Sequence, residues 1–251
     1  MKGNASNSTK SPPPKDHARE AFAAKPKETR VVLFDIDGTL VLTGGAGQRA
    51  MARAFEELFA ISDAFRDIPM AGRTDTWILS SAAAAHGVCA PSLSAFQNAY
   101  LVLLEQELEL PNPKKAVMPG VRPLLDALAG RGDTFLALLT GNYEKAARLK
   151  LEHFDLWRYF LCGAFADDSA DRNSLLPTAL ERVHACGGPA VHPTDVIVVG
   201  DTPHDVACAL AAGARPIGVA TGPFSAQELR ASGAEIVFED LSDTGAFLKL
   251  L

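Results

Sequence analysis

Short apolar runs alternate with helical stripes along most of this chain. Val31-Val32-Leu33-Phe34 is unbroken, as are Phe135-Leu136-Ala137-Leu138-Leu139 and Val196-Ile197-Val198-Val199. Runs without polar alternation read as strands buried on both faces, the pattern of a parallel sheet covered by helices. Weaker strand patterns fall at 159–162, 216–220 and 236–238. Helical spacing occupies the intervals 121–129, 143–153, 174–185, 204–212, 225–232 and 241–249. Gly130 and Gly213 stand where helix C-terminal glycines belong. Strands alternating with helices predict an α/β core built on a doubly wound parallel sheet.

The interval 44–115 breaks the rhythm. It holds three helical stripes and no convincing strand: Met51, Phe55, Leu58 and Phe59; then Trp77 and Ile78; then Leu93, Phe96, Tyr100, Leu103 and Leu104. These stripes read as helix–helix packing. Gly44-Gly45 and Pro111 to Pro113 bound the segment as joints. The expected organisation is a tail at 1–29, a core made of 30–43 and 116–251, and a helical insertion at 44–115. An insertion leaving the sheet directly after its first strand is placed to cover that strand's end.

Composition narrows the class without naming it. The chain has 251 residues, 47% hydrophobic and 22% charged, which is ordinary for a globular protein. Its formal net charge of −6 offers no electrostatic footprint for nucleic acid or an anionic membrane. No apolar stretch is long enough to span a bilayer. Cys89, Cys162, Cys186 and Cys208 are scattered, with no Cys-x-x-Cys pair. They read as buried or inert thiols and point to a reducing compartment, the cytoplasm. Residues 1–29, rich in Ser, Asn, Lys and Pro, cannot bury a core and read as a flexible tail. A targeting segment stays open as the alternative, against which the acids Asp16, Glu20 and Glu28 count.

The polar residues gather at strand ends. The first strand runs into Asp35 and Asp37, the second into Thr140-Gly141-Asn142, and a later one into Gly200-Asp201-Thr202-Pro203-His204-Asp205. Open parallel sheets bind ligands beyond the carboxyl ends of their strands. Two carboxylates roughly 4 Å apart repel by about 4 kcal/mol at an effective dielectric of about 20. A bound cation relieves that repulsion, and phosphoryl chemistry requires such a cation. Asp35 is the candidate nucleophile and Asp37 the candidate acid and base, with Gly38 allowing the turn and the Thr39 hydroxyl orienting Asp37. Asp201 and Asp205 enrich the acidic rim, which suits Mg²⁺ with its preference for oxygen ligands. Thr140 and the Gly141 and Asn142 amides form a strand-to-helix junction of the anion-binding kind. His204 reads as a rim residue.

Those three segments together resemble the haloacid dehalogenase superfamily, and the helical insertion resembles its cap. Within it the chain is most similar to phosphoglycolate-phosphatase-type and β-phosphoglucomutase-type members. The resemblance implies a Rossmann-like core and an aspartyl-phosphate on Asp35. It implies Mg²⁺ held by the Asp35 carboxylate, the Asp37 main-chain carbonyl and the Asp201 carboxylate. Asp205 is either a direct ligand or an orienter. The lysine that the superfamily places after the third strand is absent from 166–174; Arg172 is the only cation there and stands in for it. Arg73, in the Gly72-Arg73-Thr74-Asp75 break of the insertion, becomes a candidate grip for the substrate's far end.

The leading expectation is a Mg²⁺-dependent phosphatase acting on a small phosphorylated metabolite, with phosphoglycolate the first substrate to try. A phosphomutase uses the same groups, and a catalytically silent binding protein on the same fold is the third reading. Absence of lysine between Gly44 and Pro113 counts against a phosphonatase-type enzyme. A metal-free dehalogenase needs neither Asp37 nor the acidic rim.

Overall fold

The computed structural model describes residues 29–88 and 93–251. The expected tail, apart from its last residue, and Cys89 lie outside the described residues. Six parallel strands form one sheet in the order β5-β4-β1-β6-β7-β8. They are β1 (Arg30–Phe34), β4 (Thr134–Leu139), β5 (Gly163–Ala164), β6 (Val196–Gly200), β7 (Arg215–Val219) and β8 (Ile236–Phe238). Helices α4 (Val121–Ala129), α5 (Glu144–His153), α6 (Leu175–Ala185), α7 (Pro203–Ala211), α8 (Ala226–Ala231) and α9 (Thr244–Leu248) connect or flank them.

The unbroken apolar runs are explained by two-sided burial. Along β1, Val32 and Phe34 enter one core cluster with α4, α5 and α9, whereas Val31 and Leu33 enter the opposite one with α6 and α7. Strand β6 divides in the same way, Ile197 and Val199 on one side and Val196 and Val198 on the other. Period-two side chains with a helical layer on each face leave no position for a polar residue until the strand ends. Because β1 lies between β4 and β6, in register Phe34↔Leu138 and Phe34↔Val199, the exits of all three strands come side by side.

The segment between β1 and α4 contains α1 (Ala46–Phe59), α2 (Asp75–Ala85) and α3 (Leu93–Glu109). Their apolar stripes form a third cluster around Phe55, Phe96, Tyr100 and Leu104, continued by Tyr143, Ala146 and Ala166 of the core. Leu58 departs from the expected stripe and is exposed.

Several expectations need correction. A two-stranded antiparallel ribbon, β2 (Val41–Thr43) with β3 (Lys115–Val117), joins the insertion to the core and was not expected. Three-residue strands with mixed burial carry too little pattern to register. The strand expected at 159–162 is displaced: Tyr159 ends a 3-10 turn, Trp157–Tyr159, and pairing begins only at Gly163. Gly130 ends α4 with right-handed backbone, whereas Gly213 follows α7 at φ +77°, the left-handed geometry expected of such glycines. Of the described cysteines, all free thiols, Cys208 is buried, Cys162 partly so, and Cys186 is exposed.

Candidate active site

Asp35 and Asp37 follow β1, and the chain turns immediately after them. The amides of Leu40 and Val41 donate to the Ile36 carbonyl, and Gly38, at φ +87°, donates its N–H to Val41 O. A Cβ on Gly38 would overlap the Asp201 carboxylate, so a side chain is excluded there on both counts. Asp201 leaves β6 into the same space and is almost fully buried. Thr39 Oγ1 donates to Asp201 Oδ1 at 3.0 Å. The Thr39 hydroxyl therefore orients Asp201, not Asp37 as expected.

Asp205 is the third residue of α7. Its Oδ2 accepts from the Thr202 N–H at 3.0 Å and hydroxyl at 2.7 Å, completing a capping box, and its Oδ1 accepts from Arg172. Ligand-capable oxygens of Asp35, Asp201 and Asp205 all lie within 4.8 Å of one another. With both oxygens already engaged, Asp205 has the geometry of an orienter.

Arg172 is buried, not a surface residue. Its Nη2 lies 2.9 Å from Asp35 Oδ1 and in closer contact with Asp205 Oδ1, while Nη1 donates to the Gly72 carbonyl of the insertion at 2.9 Å. One guanidinium fork thus ties the candidate nucleophile, a helix start and the insertion loop together.

The electrostatics follow from burial of many acids with few cations. Burial, with Asp205 and Asp37 adding to it and Arg172 opposing, pushes the Asp35 carboxyl up to about 6. Burial followed by the charges of Asp205 and Asp35 raises Asp201 well above the carboxylate range. Such a cluster is short of positive charge, and its hard oxygen donors fit a divalent cation of the Mg²⁺ kind.

Thr140 is fully buried; its hydroxyl oxygen accepts from Asn142 Nδ2 at 2.9 Å, and the hydroxyl donates to the Asp35 carboxylate. Asn142 Nδ2 also donates to Asp37 Oδ2 at 2.8 Å. The Asn142 side chain therefore reaches the Asp37 carboxylate, a contact beyond the anion-binding junction expected of its backbone amide. Gly141 is pressed against the Arg73 backbone with no room for a Cβ.

The insertion closes over these groups. Asp75 N–H donates to the Gly141 carbonyl at 2.7 Å, and Asp75 Oδ2 accepts from the Tyr143 N–H at 2.8 Å. The Thr74 and Thr76 hydroxyls donate to the carbonyls of Ala170 and Ala166, at 2.7 and 2.8 Å. Thr74 also caps α2 by accepting from Trp77 N–H. Beneath the loop is a cavity of about 710 Å³ with Asp35, Asp37, Asp201 and Arg172 at one end and Met51, Met70 and Ile78 elsewhere on its wall. Arg73 lines it, with its guanidinium stacked 4.3 Å from the Trp77 ring centre and Nε without a hydrogen-bond partner among the described residues. His204 sits beside Gly72 at the rim; burial and the charges of Arg73 and Arg172 lower its proton affinity.

Among the polar residues of this cavity that were not anticipated are Lys150 and Asp75. Lys150 Nζ donates to Asp37 Oδ2 at 2.6 Å and to Asn142 Oδ1 at 2.5 Å. Its signal was present in the sequence: with Ala146, Ala147 and Leu151 it occupies the buried face of α5, a position where a lysine is out of place.

A family model for haloacid dehalogenase-like hydrolases matches residues 29–213. The chain belongs to the haloacid dehalogenase-like hydrolase family. Over 216 residues it is 30% identical to the protein named "Probable phosphatase IndB" of Dickeya dadantii, covering 85% of this chain and 90% of that one. Over 224 residues it is 31% identical to a phosphoglycolate phosphatase of Rhodospirillum rubrum, covering 87% and 90%. The solved structure of CbbY from Rhodobacter sphaeroides in complex with phosphate matches with a TM-score of 0.67 over 86% of this chain and 96% of that one, at 19% identity. A hydrolase from Pseudomonas syringae matches with a TM-score of 0.65 over 89% and 99%, at 21% identity. The structural likenesses carry the dehalogenase-like fold; the family match and the curated relatives make this chain an enzyme of the phosphatase type.

Proposed function

We propose that the protein hydrolyses a small phosphate monoester, with Mg²⁺ and through an aspartyl-phosphate on Asp35. The observation that carries the reading is the convergence of ligand-capable oxygens of Asp35, Asp201 and Asp205 within 4.8 Å, beside a cavity lined by Asp35, Asp37 and Asp201. Asp35 and Asp201 would hold the metal by their carboxylates and Asp37 by its main-chain carbonyl, with Asp205 fixed behind them by Thr202 and Arg172. Bound there, Mg²⁺ supplies charge neutralisation for the acids and the phosphoryl oxygens.

In the first step an Asp35 oxygen attacks phosphorus, the bond to the ester oxygen breaks, and Asp37 gives that oxygen a proton. In the second, Asp37 takes a proton from a water that attacks the phosphorus, releasing inorganic phosphate and restoring Asp35. Arg172, 2.9 Å from Asp35, supplies the fixed positive charge for the phosphoryl oxygens. That position supports Arg172 as the stand-in for the missing lysine, the one feature that favoured a silent protein. Phosphoglycolate is the first substrate to test, supported by the resemblance and by relatives bearing that name.

Phosphate release from nitrophenyl phosphate and from phosphoglycolate tests the reading. Wild-type protein turns over with Mg²⁺ and stops on chelation, and Asp35→Asn lowers the rate by about a thousandfold or more while the circular dichroism spectrum is kept. Turnover that survives either chelation or Asp35→Asn overturns it.

A further inference from the structure

Lys150 has no part in the hydrolysis as proposed, yet it stands beside the acid and base. Its side chain is only 5% exposed, whereas that of its partner Asp37 is 43% exposed toward the cavity. Burying an ammonium costs several kcal/mol unless it is paired and hydrogen-bonded. An ammonium carries three N–H donors. Asp37 and Asn142 take two, and the third has no hydrogen-bond partner among the described residues. Space is kept open around it: a Cβ on Gly47 of α1 would come within 3.3 Å of Nζ and 3.5 Å of the Tyr100 hydroxyl, and no side chain fills that place. Lys150, Gly47, Tyr100 and Asp75 all line the cavity.

We propose that Lys150 recognises a carboxylate on the leaving group, attached to the carbon that bears the ester oxygen, and so selects phosphate esters of 2-hydroxycarboxylic acids. The inference rests on the phosphatase reading above and deepens it. The ester oxygen must come within about 3 Å of the Asp37 carboxyl to receive its proton. Lys150 Nζ lies 2.6 Å from Asp37 Oδ2, so Nζ stands beside the carboxyl group that protonates the ester oxygen. A carboxylate one carbon from that oxygen reaches Nζ; an anion several carbons further out passes it. A monoanion also suits the place better than a second phosphate, because Asp37 and Asp75 already surround the ammonium with negative charge. The other cations of the cavity are differently placed: Arg172 is paired with Asp35 and Asp205, Lys114 is exposed, and the Arg73 guanidinium stacks on Trp77.

The test compares the phosphate ester of glycolic acid with that of glycolamide, its neutral isostere, as a ratio of kcat/KM values. Wild-type protein favours the acid by about tenfold or more, the size of one charge-assisted hydrogen bond. Lys150→Met cuts that ratio by about tenfold or more, and Lys150→Arg restores most of it. The ratio does not depend on how much of a variant is folded. Wild-type protein that treats the two esters alike, or a Lys150→Met ratio equal to the wild-type one, overturns the proposal. Should Lys150→Met fail to fold, product inhibition of the wild-type enzyme by glycolate against glycolamide gives the same comparison, and equal inhibition overturns it. Turnover of nitrophenyl phosphate without any acid preference sinks this inference alone; no turnover of any ester sinks the phosphatase reading with it.

Discussion

Single atoms decide whether the acid cluster keeps its shape. Asp201 lies between two glycines: a Cβ on Gly38 or on Gly222 would overlap its carboxylate. Gly222 has no left-handed backbone requirement, so Gly222→Ala isolates the steric effect from turn strain. The added methyl displaces Asp201, and a displacement near 1 Å at a reacting centre costs about a hundredfold. Gly222→Ala should therefore lower kcat/KM by about that factor and raise the Mg²⁺ concentration needed for half-maximal rate, both read from Mg²⁺ titrations of initial rate. Unchanged Mg²⁺ dependence would mean that Asp201 is not where the cation is held. The legibility of the site has the same atomic logic. Asp35, Asp37, Thr140 and Asp201 could be read because each follows an apolar run, where a polar residue has no packing reason to be. Lys150 was passed over because it lies inside a helix with charged residues on its other face, where only its phase marks it out. Thr39 reads from the sequence as the partner of nearby Asp37 because Asp201 is far away along the chain, and only the β1–β6 pairing brings Thr39 and Asp201 together.

At the scale of elements, the informative junction is the start of α2 against the loop after β4. Asp75 joins them twice, through its own N–H and through a carboxylate that accepts from Tyr143. Burial raises its carboxyl to about 7, with Lys150 pulling the other way. For an acid whose folded value is raised, the folded state binds the proton more tightly. The stability that results is fully present below the ordinary value of 3.8 and is lost as pH rises through about 7. Asn at this position does not titrate and still offers an oxygen to the Tyr143 N–H. The stability of Asp75→Asn relative to wild type should therefore improve with rising pH between these limits, by at most about 1.4 kcal/mol per pH unit, and level off beyond them. Urea denaturation at a series of pH values measures it, and a flat difference would place Asp75 in a solvated setting. Long elements such as α1 and α3 declared themselves through repeated stripes. The β2–β3 ribbon and two-residue β5 did not, because so few residues cannot establish a period and their pairing is set by partners distant in sequence.

For the whole molecule, the sheet order turns three separate motifs into one site. With β1 between β4 and β6, carboxylates from two strands share a few ångströms, and the insertion shields them from water. Folding thus buries and assembles like charges that the unfolded chain keeps solvated and apart; burial first, and repulsion among the acids after it, make Asp35 and Asp201 hold their protons above the usual range. A ligand that removes this repulsion stabilises the native state, since the unfolded chain offers it no preassembled site. At a concentration about a hundredfold above its dissociation constant, such a ligand adds about 2.7 kcal/mol. For a domain of this size, each kcal/mol moves Tm by about 2–4 °C. Mg²⁺ should then raise Tm by about 5–10 °C in wild-type protein. Asp201→Asn should melt higher than wild type without the cation, because it removes a buried acid whose ionisation folding opposes, and should gain little when Mg²⁺ is added. Differential scanning calorimetry reads both effects without any substrate. Equal Mg²⁺ shifts in the two proteins would locate the binding elsewhere. A lower Tm for cation-free Asp201→Asn would show that the Thr39 hydrogen bond outweighs the repulsion among the acids.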